Sequence, residues 1–240
     1  HRQKVLSRYL TIVDQPAEDG LDIQTTIDVN FQDICEKALN DKLVEINANQ
    51  GLCILMEVQT GDVKAITSMR RVGDGVYKEM DVDAVKNLLE PGSVFKTVTL
   101  MSVLNDGYIK SLDETLPAKS GHVEGTSIND AHIPEFARKH HTDRISILDG
   151  FKISSNYVFA TLAVKYYGKR DGYDGTDKFL SNIYNYKLGE AFDFDLDGLQ
   201  TPTIPSPKTR YWTNTDLGSI AYGYSTEETP IHILTFYNAI

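Results

Sequence analysis

The chain has 240 residues, of which 41% are hydrophobic and 24% charged, and its formal net charge is -10. This composition is typical of a folded globular protein and excludes a mostly disordered chain. The acidic balance also argues against nucleic acid as a partner, because a protein that binds the phosphate backbone needs a basic face.

The start of the sequence suggests a segment of a longer protein. No apolar run approaches the ~20 residues that a membrane-spanning helix requires, and no signal peptide is visible. The chain begins at His1 rather than at a methionine, so we expect an excised segment whose anchor or signal could lie elsewhere. Residues 1–20 end in a turn-forming cluster and are expected to be the tail of a preceding domain or a linker, with one domain over 21–240.

The first elements combine a strand, a helix and a hairpin. Residues 21–27 alternate apolar and polar side chains, which predicts a half-buried strand. Asp28 is then a suitable cap for a helix that runs to about Asn47, since apolar residues recur there at helical spacing. Two short apolar runs at 52–58 and 63–69, joined by a turn, predict a β-hairpin in a sheet on which helices pack.

The rest of the chain is mostly helical around one irregular stretch. A helix is predicted after Pro91 and Gly92 and ends at Gly107, and its expected buried stripe is Val94, Val98, Met101 and Leu104. Residues 110–145 lack a clear period, as functional loops often do. Further helices are predicted over 156–167, over 176–187 and from Pro230 to the end of the chain, and residues 201–207 are expected to be extended.

A possible nucleophile and base stand three residues apart at the start of a helix. Ser93 and Lys96 would share one face of it, and no other serine has a lysine three residues later. Acyl transfer needs a nucleophile within hydrogen-bond reach of a base, and backbone N–H groups at a helix N-terminus favour negative charge. Lys96 must be neutral to accept a proton, which burial in a dry cleft can achieve. The pattern is also compatible with a capping serine and a surface lysine.

A second polar pair stands at the start of a later helix. Ser154 and Asn156 could relay a proton and hold a substrate amide. Ser154 is equally compatible with an ordinary N-cap, and Ser127 and Asn129 repeat the spacing within the irregular stretch.

Other kinds of site find less support. Cys35 and Cys53 lie in no metal-binding pattern and are interpreted as small apolar residues of the interior, so they do not reveal the redox compartment. The histidines of the irregular stretch lack cysteine partners and an H-E-x-x-H helix, so no metal site is predicted; these are His122, His132, His140 and His141.

Several segments together resemble the class B penicillin-binding proteins, the monofunctional peptidoglycan D,D-transpeptidases, and their division-type members in particular. The resemblance covers about residues 16–240 and rests on DGLDIQTTIDVNFQDICEKAL, MEVQTGDVKAI, EPGSVFK, ISSNYVFATLA and AYGYSTEETPIHILTFYNAI. It implies an α/β (α+β) fold of the penicillin-binding transpeptidase and serine β-lactamase type. A central antiparallel sheet, incomplete in this chain, would have flanking helices and a helical subdomain.

The resemblance also implies roles for the four site residues. Ser93 would be the acylated nucleophile, Lys96 the general base, Ser154 a proton relay and Asn156 a substrate-binding residue. The substrates would be stem peptides ending in D-Ala-D-Ala, with β-lactam antibiotics as inhibitors and no metal or cofactor. Partners would be other proteins of wall synthesis and division. The protein would be anchored in the cytoplasmic membrane and face the periplasm or outer surface, and residues 1–20 would belong to a preceding non-catalytic domain.

One expected motif of the family has no match. K-T-G or K-S-G should follow the second motif, but Lys208-Thr209-Arg210 lacks the glycine and Lys119-Ser120-Gly121 comes too early and is interpreted as a turn. We therefore expect residues 21–240 to lack the C-terminal part of the domain and this chain to be acylated poorly, if at all. Two alternatives remain open, a non-catalytic scaffold of a wall-synthesis complex and a β-lactamase or β-lactam sensor.

Overall fold

The computed structural model describes residues 20–80, 83–118, 120–208 and 211–240. The predicted tail or linker at 1–20 lies, apart from Gly20, outside the described residues. The first helix, α1, covers Val29–Glu45, and the carboxylate of Asp28 accepts hydrogen bonds from the backbone N–H groups of Asn30 and Phe31. The predicted cap and helix are confirmed.

An antiparallel sheet follows, with its strands in the order β1–β2–β3. The strands are β1 (Gln50–Met56), β2 (Val63–Gly73) and β3 (Val76–Glu79). The predicted hairpin is β1 and β2, whose register runs from Gln50 opposite Arg70 to Leu55 opposite Ala65. Helix α1 packs across both strands, and the short helix α2 (Asp83–Lys86) also contacts them.

Helices form the larger part of the molecule. The buried core surrounds α3 (Lys96–Asn105), α6 (Asn156–Tyr167), α7 (Thr176–Asn185) and α8 (Asn214–Ala221). Helix α3 lies among the other three, so it is buried on several sides. A last helix, α9 (Pro230–Asn238), contacts α2 and β1 and so joins this body to the sheet. The predicted central antiparallel sheet with flanking helices and a helical subdomain is confirmed.

Smaller elements occupy the stretch that the sequence left irregular. They are β4 (Thr115–Pro117), α4 (His132–His140), β5 (Arg144–Ser146) and α5 (Ile147–Lys152), and β4 pairs with β5. Helix α4 was not predicted because Pro134 and three basic residues in its last turn hide the period; only Ile133 of this helix is fully buried. Helix α8 was not predicted either, although Thr213 and Asp216 form a capping box at its start.

Three predictions about the elements are wrong. Residues 21–27 form no strand, and Leu21 and Ile23 are 95% and 87% exposed because no neighbouring strand pairs with this part of the described chain. The expected stripe is confirmed at Val98, but Val94 precedes α3 and is 45% exposed, and Leu104 is 39% exposed. The buried face of α3 lies elsewhere and includes Leu100 and Val103. Helix α9 ends at Asn238 and does not continue to Ile240.

No helix in the described ranges combines the length and the apolar character needed to cross a bilayer.

Candidate active site

The backbone just before Ser93 is held by a distant segment of the chain. Gly92 adopts a left-handed conformation, with φ of 60°, and its N–H donates to the carbonyl of Gly223 at 2.9 Å. Three residues earlier, Leu89 pairs with Glu228 in an antiparallel bridge. The chain then enters a 3-10 helix at Gly92–Phe95 that leads directly into α3. Ser93 is therefore presented on an exposed turn whose backbone position is fixed.

Replacing Gly223 by alanine should disturb this support. A Cβ at Gly223 would lie 1.9 Å from the carbonyl oxygen of Gly92, and Gly223 has φ of 87°. The contact is with backbone, so the segment before Ser93 must move. We expect a loss of about 2–4 kcal/mol in the free energy of unfolding, measured by denaturant titration.

Gly61→Ala is the matched control for this substitution. Gly61 also has a positive φ, of 78°, but nothing lies within 4 Å of its added Cβ. The control should lose only the conformational term of about 1 kcal/mol. Equal losses in the two variants would show that the contact with Gly92 is not a constraint.

Lys96 lies in the interior and not on the surface. Its side chain is 1% exposed, and its Nζ donates to Ser93 Oγ at 3.0 Å, to Ser154 Oγ at 2.9 Å and to the Ser154 carbonyl oxygen at 2.5 Å. An ammonium has three N–H donors, and these three oxygens match them. The alternative of a surface lysine is therefore wrong, and the alternative of a capping serine has no support, because no side chain caps the 3-10 helix.

Ser154 reaches Lys96 because its neighbour caps the helix. The N-cap of α6 is Ser155, whose hydroxyl accepts from the backbone N–H of Val158. Ser154 itself has φ of 56°, which is uncommon for a residue with a side chain. This conformation directs both its hydroxyl and its carbonyl to Lys96 Nζ. The alternative that Ser154 is an ordinary N-cap is therefore wrong.

Burial tunes the amine toward the neutral form. Desolvation lowers the pKa of Lys96 from its ordinary value to about 8, and the negative charge of Asp130 acts in the opposite direction. At neutral pH roughly a tenth of the molecules then carry a neutral amine, compared with less than a thousandth for a free lysine. A fraction of the protein therefore carries an amine that can accept a proton at neutral pH.

Asp130 is a site residue that the sequence analysis missed. It is 7% exposed, and its carboxylate accepts from the Ser155 hydroxyl at 2.9 Å, from the Tyr157 N–H at 3.2 Å and from the His132 N–H at 3.0 Å. These contacts connect the irregular stretch to the start of α6. In the sequence, Asp130 directly follows Ser127-Ile128-Asn129, but it belongs to no periodic pattern that would have marked it as a site residue.

The other candidate site residues that the structure describes do not join the hydrogen bonds around Lys96. Asn156 is the first residue of α6 and lies half-buried beside the serines, outside the hydrogen bonds that join Ser93, Lys96 and Ser154. Asn129 instead contacts the His122 ring. Lys119, Thr209 and Arg210 lie outside the described residues. Within the described ranges, no three His, Cys, Asp or Glu side chains are placed to hold a metal ion.

Helix α9 contacts the segment that carries Ser93. The Tyr237 hydroxyl donates to the Val94 carbonyl at 2.7 Å and lies 2.8 Å from Thr97 Oγ1. Both contacts are within one turn of Ser93. The position of the nucleophile candidate thus depends on segments near residues 90, 223 and 237, which only the fold brings together.

Comparison with known proteins agrees with this arrangement. The sequence profile of the penicillin binding protein transpeptidase domain matches residues 51–240. The peptidoglycan D,D-transpeptidase FtsI of Buchnera aphidicola is 23% identical over 226 residues, which are 90% of this chain and 35% of that protein. FtsI of Escherichia coli is 22% identical over 222 residues, 90% of this chain and 34% of the relative. The chain thus spans about a third of the length of these curated relatives.

Solved structures show the same fold. The transpeptidase domain of penicillin-binding protein 3 from Burkholderia pseudomallei superimposes with a TM-score of 0.71 at 18% identity, covering 92% of this chain and 59% of the other. A peptidoglycan synthetase from Bifidobacterium adolescentis gives 0.73 at 20% identity, with 92% and 38% covered. With a profile match over most of its length and FtsI proteins among its relatives, the chain belongs to the penicillin-binding protein transpeptidase family, among its class B members.

Proposed function

We propose that this chain carries the catalytic serine of a peptidoglycan D,D-transpeptidase that works through an acyl-serine intermediate. The observation that supports this best is the buried amine of Lys96, which is hydrogen-bonded to Ser93 and Ser154 at the start of two helices. A buried lysine with a lowered pKa beside an exposed serine hydroxyl is the arrangement that activates a nucleophile.

The hydrogen bonds suggest how the proton moves. A neutral Lys96 keeps two N–H donors, which can remain on the carbonyl and hydroxyl of Ser154, and its lone pair can accept the proton of Ser93. Ser93 Oγ then attacks the carbonyl of the penultimate D-Ala, and terminal D-Ala leaves with a proton that Ser154 can relay from Lys96. An amine of a neighbouring stem peptide would resolve the acyl-enzyme and form the cross-link.

Asn156 is assigned to the substrate. Asn156 is the first residue of α6, two residues after Ser154, and takes no part in the hydrogen bonds that join Ser93, Lys96 and Ser154. An amide can both donate to and accept from the peptide backbone of a stem peptide. The domain, as part of a larger membrane-anchored protein, would act outside the cytoplasmic membrane together with other wall-synthesis proteins.

The direct test is acylation by a penicillin, followed by intact mass. The full-length gene product that contains residues 1–240 should gain the mass of one penicillin, and Ser93→Ala should gain none. Ser127→Ala, an exposed serine of the other Ser-x-Asn sequence, should react like the wild type. Residues 1–240 alone should react poorly, if at all.

The outcomes separate the alternatives. A folded full-length protein that forms no adduct would contradict the proposal and favour a scaffold role. Rapid release of hydrolysed penicillin would indicate a β-lactamase. A long-lived adduct is expected of a transpeptidase and also of a β-lactam sensor. Cross-linking of stem peptides by the wild type then distinguishes the transpeptidase from the sensor.

Asp130→Asn should move the pH dependence of acylation toward acid. The charge of Asp130 raises the pKa of Lys96, so its removal lets Lys96 become neutral at a lower pH. The rising limb of the acylation rate against pH, expected near pH 8 in the wild type, should therefore shift to lower pH. Asp143→Asn, at an exposed position, should leave the limb in place, and an unshifted limb in Asp130→Asn would rule out this electrostatic role.

A further inference from the structure

Two cysteines meet where α1 packs on the sheet. Cys35 lies on α1 and Cys53 on β1, both are partly buried free thiols, and the Cys35 thiol is near enough to help raise the pKa of Cys53. Neither contributes to the site around Ser93. The pair combines residues 18 positions apart in the sequence on two different elements.

The packing of α1 on β1 explains why the thiols meet. Gly51 leaves room for the helix, since a Cβ there would lie 3.1 Å from Leu39 and 2.9 Å from Leu43. Cys53 is two residues further along β1 on the same face, and Cys35 is one helical turn before Leu39. Two strand residues advance about 6.6 Å and four helix residues about 6 Å, so the steps match when helix and strand run in opposite directions.

Hydrogen bonds at the start of the helix fix this register. The Gln32 side chain donates from Nε2 to the Ile66 carbonyl at 3.0 Å and accepts from the Ile66 N–H at 2.9 Å. Ile66 pairs with Ile54 in the sheet, directly beside Cys53. The helix is thereby attached on both sides of Cys35, by Gln32 before it and by Leu39 after it.

We propose that Cys35 and Cys53 are a modification site, which disulfide-class oxidants convert into an intramolecular disulfide that fastens α1 to β1. The thiolate of Cys35 attacks one sulfur of a small external disulfide, which releases one thiolate and leaves a mixed disulfide on Cys35. The thiolate of Cys53 then attacks Cys35 Sγ and releases the second thiolate. Two protein thiols are oxidised, and one external disulfide is reduced to two thiols.

The order of the two steps follows from the surroundings of Cys53. Burial, and then the adjacent Cys35 thiol, raise the pKa of Cys53 to about 11. Its thiolate is therefore scarce at neutral pH, and the first attack belongs to Cys35 on the surface helix. Once the mixed disulfide has formed, the attack by Cys53 is intramolecular, because the packing of α1 on β1 keeps Cys35 beside β1.

The bond would reinforce a weakly covered part of the fold. Helix α1 buries only Leu43 completely, while Phe31 and Ile34 are 46% and 63% exposed. A cross-link between the two elements restricts the unfolded chain and prevents the helix from leaving the sheet. The expected result is a higher thermal midpoint for the oxidised protein.

Peptide mapping tests the proposal. The full-length gene product is incubated with oxidised glutathione at mildly alkaline pH, alkylated, and digested without reduction. We expect a peptide that joins Cys35 to Cys53, lighter by two hydrogen atoms than the two reduced peptides. The thermal midpoint should rise by roughly 5–10 °C and return to the starting value after dithiothreitol.

The single variants Cys35→Ser and Cys53→Ser are the controls. Each retains one thiol of the pair, so neither should form the joined peptide or gain stability on oxidation. In the wild type, alkylation of both cysteines or glutathione adducts alone would overturn the proposal. A joined peptide without any rise in the thermal midpoint would contradict the claim that the bond fastens α1 to the sheet.

Discussion

Lys96→Met should lower the rate constant for acylation by a penicillin by roughly 10²–10⁴-fold, while the protein remains folded. Methionine is unbranched and of similar length, so it can occupy the buried position beside the ring of Phe159, whose centroid lies 5.9 Å from Lys96 Nζ. It cannot accept the proton of Ser93. The loss should therefore appear in chemistry and not in folding.

The measurement is the second-order rate constant of acylation by stopped-flow or timed mass spectrometry on the full-length gene product. Lys110→Met is the matched control, because Lys110 is exposed on the surface, and it should react like the wild type. Thermal unfolding of both variants checks the fold. Acylation of Lys96→Met within twofold of the wild-type rate would show that Lys96 is not the base.

The sequence predicted which side chains meet at this site better than it predicted how the fold holds them there. The spacing of Ser93 and Lys96 at a helix start pointed to a nucleophile and a base on one face, and the structure places them 3.0 Å apart. Local spacing could not show that Lys96 is buried, because its cover comes from α6 and from Ser154, which lies 58 residues away. Burial separates a functional lysine from a surface one, and it is a property of tertiary structure.

The second pair illustrates a different limit. Ser154 and Ser155 are adjacent and chemically identical, and either could cap α6. In the structure Ser155 is the N-cap of the helix, and Ser154, in its left-handed backbone conformation, accepts a hydrogen bond from Lys96. The role of Asp130 could not be predicted either. Its carboxylate accepts hydrogen bonds at the start of a helix that is distant in the sequence, and such contacts produce no periodic pattern.

The fold shows where pattern reasoning holds. The hairpin and α6 were predicted because turn residues bound their apolar runs. The alternation at 21–27 looked equally regular, yet a strand also needs a neighbour to accept its backbone hydrogen bonds, and Asp28 supplies the first backbone contact with β2, to Lys64. The pattern was local, whereas the pairing that makes a strand is not.

Glu228→Gln should remove a large pH dependence of stability. Glu228 is 1% exposed, and neither of its carboxyl oxygens has a hydrogen-bond partner among the described residues. Burial raises its pKa from 4.5 to about 8. The folded state therefore holds a proton that the unfolded state releases, and the free energy of unfolding should fall as pH rises from the unfolded pKa near 4.5 to the folded pKa near 8.

The expected size of this fall is about 2–5 kcal/mol, the upper value corresponding to the full shift without relaxation. A glutamine has the same shape and no charge, so its stability should change less over this range, and the variant should be the more stable protein at alkaline pH. The measurement is the thermal midpoint of the full-length gene product from about pH 5 to about pH 9, compared between wild type and variant.

Two features of the chain make this comparison decisive. Burial lowers the pKa of His232, which makes the fold lose stability as pH falls through the range of a free histidine, but His232 is present in both proteins and its contribution cancels. Glu227→Gln alters the adjacent, exposed carboxylate and should keep the wild-type slope. If Glu228→Gln and the wild type lose stability equally with rising pH, Glu228 is already ionised in the folded protein, and the bridge between Glu228 and Leu89 that precedes Ser93 tolerates a buried charge.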